Sequence, residues 1–103
     1  MPDGIPFDWK DENAENLEEI TGNVGWLIDA IQLHFSNTQS ARIGGYGGGG
    51  HYIYLPKKVD QVIVRSDSER LYTVDFLAVG MRERFGSYYQ GYDNQHWVNL
   101  NDG

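Results

Sequence analysis

The sequence contains many short apolar runs, each interrupted by turn-forming residues. None of these runs sustains the 3.6-residue periodicity of an amphipathic helix, and several alternate apolar with polar positions. The pattern predicts seven strands: Ile5–Trp9, Leu17–Thr21, Trp26–Phe35, Tyr52–Leu55, Gln61–Arg65, Leu71–Val79 and His96–Leu100. The segment Asp11–Ile20 could instead form a short helix, although a loop entering a strand fits it better. We therefore expect an all-β fold.

A loose repeat with an interval of about 45 residues groups these strands. The segment PFDW at 6–9 recurs as YIYL at 52–55 and again as HWVNL at 96–100. The chain thus resolves into two four-strand units and the opening strand of a third. Such spacing is typical of antiparallel sheets packed face to face in a sandwich or prism, within a single domain spanning 1–103.

Charge and composition exclude several classes of protein. The chain has 15 acidic and 8 basic residues, a net charge of −7, which argues against a nucleic-acid partner. Seven of the acidic residues fall within residues 1–20, so the acidity is local. The absence of cysteine excludes disulfides, zinc–thiolate sites, iron–sulfur clusters and thiol nucleophiles.

No apolar run approaches the roughly 20 residues that cross a bilayer. The opening MPDGIPFDWK lacks the basic and apolar regions of a signal peptide. We expect a soluble chain without membrane insertion, and the compartment stays open.

The stretch Ile43–Gly50 is the most unusual, with six glycines among eight residues. Glycine permits positive φ and lets a ligand approach backbone N–H groups closely. The stretch is not a P-loop, since no Gly-Lys-Ser/Thr follows and His51 begins a strand where a helix would be needed. Two interpretations remain open: a flexible linker or hairpin loop, and a ligand cradle.

The segment GNVGWLID at 22–29 places Gly25 four residues before Asp29, at the start of an apolar strand. An aspartate at a strand start is commonly a turn residue bonded to its own backbone. Alternatively, a carboxylate at a loop rim can accept charge-assisted hydrogen bonds from two adjacent hydroxyls. Sugars supply such pairs.

At these segments the sequence resembles the jacalin-related lectins, whose fold is the β-prism I of three four-stranded Greek-key sheets. GNVGWLIDAIQLHF is similar to the family's sugar-site strand, and RIGGYGGGGHYIYL to its glycine-rich loop and following strand. MRERFGSYY, IPFDWKDEN and HWVNLNDG are similar to other family segments. Griffithsin-like algal lectins share this order of acid-bearing strand and glycine loop.

The resemblance implies a site for a mannose- or glucose-type sugar, free or on glycoproteins, without a cofactor or metal. Asp29 would accept two sugar hydroxyls. The backbone N–H groups of Trp26 and Leu27, after Gly25, would donate to the same ring. The third contact would come from Gly48 or its neighbour Gly47, while Gly44 and Gly45 would shape the loop. Tyr46 could lie against a sugar C–H face, or could simply be an exposed loop residue.

The second unit departs from the family pattern. An offset of 43 residues puts Tyr72 at the place of Asp29, and residues 87–91 (SYYQG) at the place of the glycine loop. We expect no sugar binding there, since Asp75 could substitute for the missing carboxylate only in a different register.

The third unit stops after one strand, so the chain contains about two and a quarter of three repeats. Three complete repeats would need about 135 residues. Either the prism is truncated or another chain completes it by strand exchange or edge pairing. We expect a homodimer or higher oligomer.

The remaining candidates favour structural roles. His34, His51 and His96 lack metal-ligand spacing, and the acidic residues 11–19 lack the spacing of a calcium loop. Trp9 and Trp97 are expected in the core. Asp8 and Asp29 could in principle form a glycosidase pair, but a domain of this size offers little material for a cleft, so we expect no enzyme. The alternative to a lectin is a prism-like interaction or structural domain that does not bind sugar.

Overall fold

The computed structural model describes residues 17–36, 39–40, 42–67, 70–87 and 92–100. Within these ranges the chain forms strands and no helix, so the prediction of an all-β fold is confirmed. The strands are β1 (Leu17–Val24), β2 (Ile28–Phe35), β3 (Ile43–Gly44), β4 (Gly49–Tyr54), β5 (Gln61–Ser66), β6 (Leu71–Ala78), β7 (Met81–Gly86) and β8 (Asn94–Asn99).

Six of the seven predicted strands have a counterpart, with boundaries shifted by a few residues. The predicted strand Ile5–Trp9 lies outside the described residues, as do residues 11–16 of the alternative helix. Strands β3 and β7 were not among the predicted strands. In β7 the consecutive charged residues at 82–84 separate Met81 from Phe85 and hide the alternation that marks a strand.

The strands form two four-stranded antiparallel sheets with the same topology. The first sheet has the order β3-β2-β1-β4, and the second has the order β7-β6-β5-β8. In each sheet three consecutive strands are followed by a fourth that returns beside the first, which is a Greek key.

This topology corrects the predicted boundaries of the repeat. Strand β4, expected to open the second unit, pairs with β1 and completes the first sheet. Strand β8, expected to open a third unit, pairs with β5 and completes the second sheet. The described residues therefore contain two complete sheets, and a third sheet or strand exchange with another chain stays a prediction.

The two sheets share an apolar core. Strand β2 illustrates the period of two: Ile31, Leu33 and Phe35 are buried, whereas Gln32 and His34 are half-buried. The fully buried large apolar side chains come from both sheets and the segment between them: Ile20, Ile31, Leu33, Val59, Val62, Val74, Phe76 and Phe85. Burial of each such side chain contributes about 1.5–3 kcal/mol.

The expectation that Trp97 is a core residue is wrong, since its side chain is 52% exposed. Strand β8 is one of the two outer strands of its sheet, and Val98 packs against the core. Because neighbouring residues of a strand point to opposite faces, Trp97 lies on the other face, opposite Ile63 of β5. Trp9 lies outside the described residues.

Candidate functional site

Asp29 is the second residue of β2 and follows a tight turn at residues 25–27. The N–H of Gly25 donates to the carbonyl of Leu27 at 3.0 Å, which closes the turn. Strand β2 therefore begins at Ile28, later than the predicted Trp26, and both Trp26 and Leu27 belong to the turn. Asp29, which is half-buried, is consequently fixed on a strand, whereas Trp26 and Leu27 lie on the turn before it.

Three glycines surround this carboxyl group. A Cβ added at Gly25 would lie 3.5 Å from Asp29 Oδ2, and one at Gly47 would lie 3.3 Å from Oδ1. One at Gly48 would lie 2.7 Å from Oδ2, where no side chain fits, and Gly48 has a φ of 67°. The structure thus brings the turn and the glycine loop together at the carboxylate. A side chain at Gly47 or Gly48 would crowd the carboxylate, and one at Gly25 would contact it.

The predicted loop is shorter than its glycine content suggests. Ile43 and Gly44 form β3, while Gly49 and Gly50 begin β4, which leaves residues 45–48 as the loop proper. Gly44 has a φ of 117°, and an added Cβ would lie 2.1 Å from the Asp29 carbonyl oxygen. Gly45 donates its N–H to the same oxygen at 2.9 Å. The close approach of Gly44 and the hydrogen bond from Gly45 therefore hold the start of the loop against the Asp29 backbone.

Two exposed aromatic side chains belong to the same two segments. The side chain of Trp26 is 78% exposed on the turn, and that of Tyr46 is 85% exposed on the loop. The guanidinium carbon of Arg42 lies 4.3 Å from the centre of the Tyr46 ring. The two interpretations of Tyr46, a sugar-facing ring and an exposed loop residue, are both compatible with this position.

Sequence reasoning missed two side chains that support these segments. Arg42 donates to the carbonyls of Gly44 in β3 and Gly45 in the loop, and the Ser87 hydroxyl donates to the Trp26 carbonyl. The only sequence signal for Arg42 is its place directly before the glycine-rich stretch. Ser87 is 61 residues from Trp26, and no local pattern could link them.

The second sheet places Tyr72 where the first sheet places Asp29, as predicted. Val24 pairs with Ile28 at the end of β1 and β2, and Ser66 pairs with Leu71 at the corresponding end of β5 and β6. The Tyr72 hydroxyl donates to Asp67 Oδ2 at 2.9 Å. An aromatic side chain bonded to its own turn thus occupies this position, and it offers no carboxylate there.

Asp75 does not replace the missing carboxylate. Its side chain is fully buried and accepts hydrogen bonds from Arg65, Arg82 and Arg84 at 2.7–3.0 Å. Burial acts to raise the pKa of Asp75, but the bonds from Arg84, Arg65 and Arg82 outweigh it and lower the pKa to about 2. The cluster serves as a structural ion-pair network across β5, β6 and β7.

No group of three or more potential metal ligands occurs among the described residues. Two of the histidines have structural contacts. His34 Nε2 lies 2.7 Å from Thr21 Oγ1, and the His51 ring packs 5.3 Å from that of Phe85. Among the described residues there is no helix that could span a membrane.

No family model and no curated protein matches the sequence. Among solved structures, the chain is similar to a prostate-specific glycoprotein lectin, WGA16. The TM-score is 0.66 at 22% sequence identity, and the match covers 89% of this chain and 67% of the lectin chain. The chain therefore shares the all-β fold of that lectin.

Proposed function

We propose that this protein is a carbohydrate-binding lectin that holds a mannose- or glucose-type sugar at Asp29. The observation that carries the proposal is the convergence of Gly25, Gly47 and Gly48 on the Asp29 carboxyl group. A carboxylate bordered by backbone without side chains can accept hydrogen bonds from two adjacent hydroxyls of one sugar ring. The fold shared with a solved lectin supports the same function.

Each part of the site has a separate role in this proposal. The Asp29 oxygens accept two sugar hydroxyls, and the N–H groups of Trp26 and Leu27 donate to the same ring. Gly47 or Gly48 supplies one further N–H from the loop. Tyr46 contacts the C–H face of the sugar. The protein binds the sugar without cleaving it and uses no metal.

Assembly of several chains would give useful avidity. One shallow site binds a monosaccharide weakly, and several sites on one particle bind a branched glycan far more tightly. We therefore infer a homodimer or higher oligomer. Light scattering should give at least twice the chain mass of 11.7 kDa, and a monomer mass at all concentrations would overturn this part.

The test is a titration with methyl α-mannoside followed by heteronuclear NMR, on the wild type, on Asp29→Asn and on Asp93→Asn. Wild-type shifts should cluster at residues 25–29 and 44–50. Hydrogen bonds to a charged group contribute about 1.5–3 kcal/mol. Loss of the Asp29 charge should therefore weaken binding about ten- to hundredfold.

Asp93→Asn is the matched control, because it removes the charge of an exposed aspartate that directly precedes β8 of the second sheet. It should bind as the wild type does. If mannoside, glucoside and galactoside at tens of millimolar all leave the wild-type spectrum unchanged, the lectin proposal is wrong. The chain would then be better described as a prism-like interaction domain.

A further inference from the structure

We propose that Arg42 is a positioning residue that orders the glycine loop before sugar arrives and thereby sets the affinity of the Asp29 site. The proposal about affinity rests on the lectin function proposed above. The ordering of the loop by Arg42 can be measured without any sugar.

The Arg42 guanidinium group bonds to a side-chain oxygen of β1 and to backbone carbonyls at the start of the glycine loop. Nη2 donates to Asn23 Oδ1 at 2.6 Å and to the Gly45 carbonyl at 2.8 Å, and Nη1 lies 3.3 Å from the Gly44 carbonyl. Asn23 lies at the end of β1, two residues before Gly25. One planar group therefore links the strand that enters the turn with the first residues of the loop.

Arg42 also lies over the Tyr46 ring, at 4.3 Å from the ring centre. The Tyr46 side chain is 85% exposed, so burial contributes little to its orientation. A guanidinium group stacked on one ring face holds the ring by a cation–π contact and leaves the opposite face accessible. Arg42 thus fixes both the backbone and the one large side chain of the loop.

The loop needs such a support because of its composition. Glycine loses more conformational freedom on ordering than any other residue, and residues 45–48 contain three glycines. A loop that becomes ordered only when sugar binds reduces the observed affinity by the fraction of time it spends in the competent state. A loop already held by Arg42 avoids most of that loss.

The chemistry of the contacts requires arginine at this position. Three oxygens and one aromatic ring surround a single side chain. The planar guanidinium group has five N–H donors in a fixed arrangement and stacks on rings, whereas the ammonium group of lysine is a compact point charge. Arg42→Lys therefore keeps the charge and should lose most of the ordering.

The experiment compares the wild type with Arg42→Lys, Arg42→Met and Arg70→Met. Arg70 is the matched control because it is exposed on the turn of the second sheet. Without sugar, backbone ¹⁵N order parameters of Gly45, Gly47 and Gly48 should fall from about 0.85 in the wild type to below about 0.6 in both Arg42 variants. Methyl α-mannoside should bind these variants roughly tenfold more weakly.

The outcomes separate this proposal from the lectin proposal. If the wild type binds sugar and both Arg42 variants keep its order parameters and affinity, the role of Arg42 is overturned and the lectin function stands. If the wild type binds no sugar, the lectin function and the affinity role fail together, and the order parameters alone decide whether Arg42 holds the loop. Should Arg42→Met unfold, Arg42→Lys provides the same comparison.

Discussion

The two sheets share one backbone design and differ at the end where the first sheet carries its candidate site. Gly44 and Gly86 occupy corresponding positions, with φ values of 117° and 127°. An added Cβ at either one would collide with a backbone carbonyl oxygen, that of Asp29 in the first sheet and that of Tyr72 in the second. These two glycines belong to the fold, because both sheets need them.

The glycines of the candidate site are not required by the fold. Gly47 and Gly48 border the Asp29 carboxyl group, but the corresponding part of the second unit reads Tyr-Tyr-Gln in residues 88–90. The Greek key therefore forms without this pair of glycines. The comparison separates glycines that the chain path requires from those that leave room around a carboxylate.

The two sheets also place a carboxylate in opposite surroundings. Asp29 is half-buried, is bordered by glycine and lies near the start of β2 beside the glycine loop, whereas Asp75 is fully buried among three arginines. A carboxylate that already accepts several guanidinium bonds has little capacity left for a ligand. Asp75 should therefore matter for stability and Asp29 for binding.

The largest effect on stability is expected for Asp75→Asn, which tests whether Asp75 has a structural role. Removing the charge leaves Arg65, 10% exposed at its side chain, beside a neutral amide. Breaking a buried ion pair in this way costs about 3–5 kcal/mol in the free energy of unfolding. Urea denaturation should show this loss, and sugar binding by the folded fraction should be unchanged. A loss of less than about 1 kcal/mol would contradict the structural role of the cluster.

Acid titration checks the same cluster without mutation. The folded-state pKa of Asp75, about 2, is below its ordinary value of 3.8. Its contribution to stability is therefore complete above about pH 4 and is lost as the pH falls towards 2. The wild type should lose stability across this range more steeply than Asp75→Asn. If the free energies of unfolding of the two proteins change in parallel with pH, the pKa of Asp75 is not lowered.

A smaller effect on stability, with a large effect on binding, is expected for Gly48→Ala. The added Cβ would lie 2.6 Å from the Val24 carbonyl carbon and 2.7 Å from Asp29 Oδ2, and the residue has a φ of 67°. Strain of this kind costs about 1–3 kcal/mol. Calorimetry should show that loss, and the mannoside titration should show no binding. Gly49→Ala, with nothing within 4 Å of its added Cβ, is the control.

The smallest effect is expected for Tyr72→Phe in the second sheet. This change removes the hydrogen bond from the Tyr72 hydroxyl to Asp67 Oδ2 and keeps the ring. The free energy of unfolding should fall by about 1 kcal/mol, measured by urea denaturation. Mannoside affinity should equal that of the wild type, and any change in affinity would show that the second sheet takes part in binding.

The sequence alone determined most of the strand content and the main candidate residues. Alternating apolar positions placed six strands nearly correctly, since a period of two depends only on neighbouring residues. The family resemblance singled out Asp29 and the glycine loop, and these segments do meet in the structure. The offset of 43 residues correctly matched Tyr72 with Asp29.

Only the tertiary structure decided which strands share a sheet and which side chains meet across them. An alternating pattern is satisfied by any partner strand, so it could not show that β4 completes the first sheet and β8 the second. The contacts of Arg42 with Asn23, of Ser87 with Trp26 and of Asp75 with three arginines join residues 7–61 positions apart. Side chains brought together by chain folding leave no local pattern, and so these contacts became visible only in three dimensions.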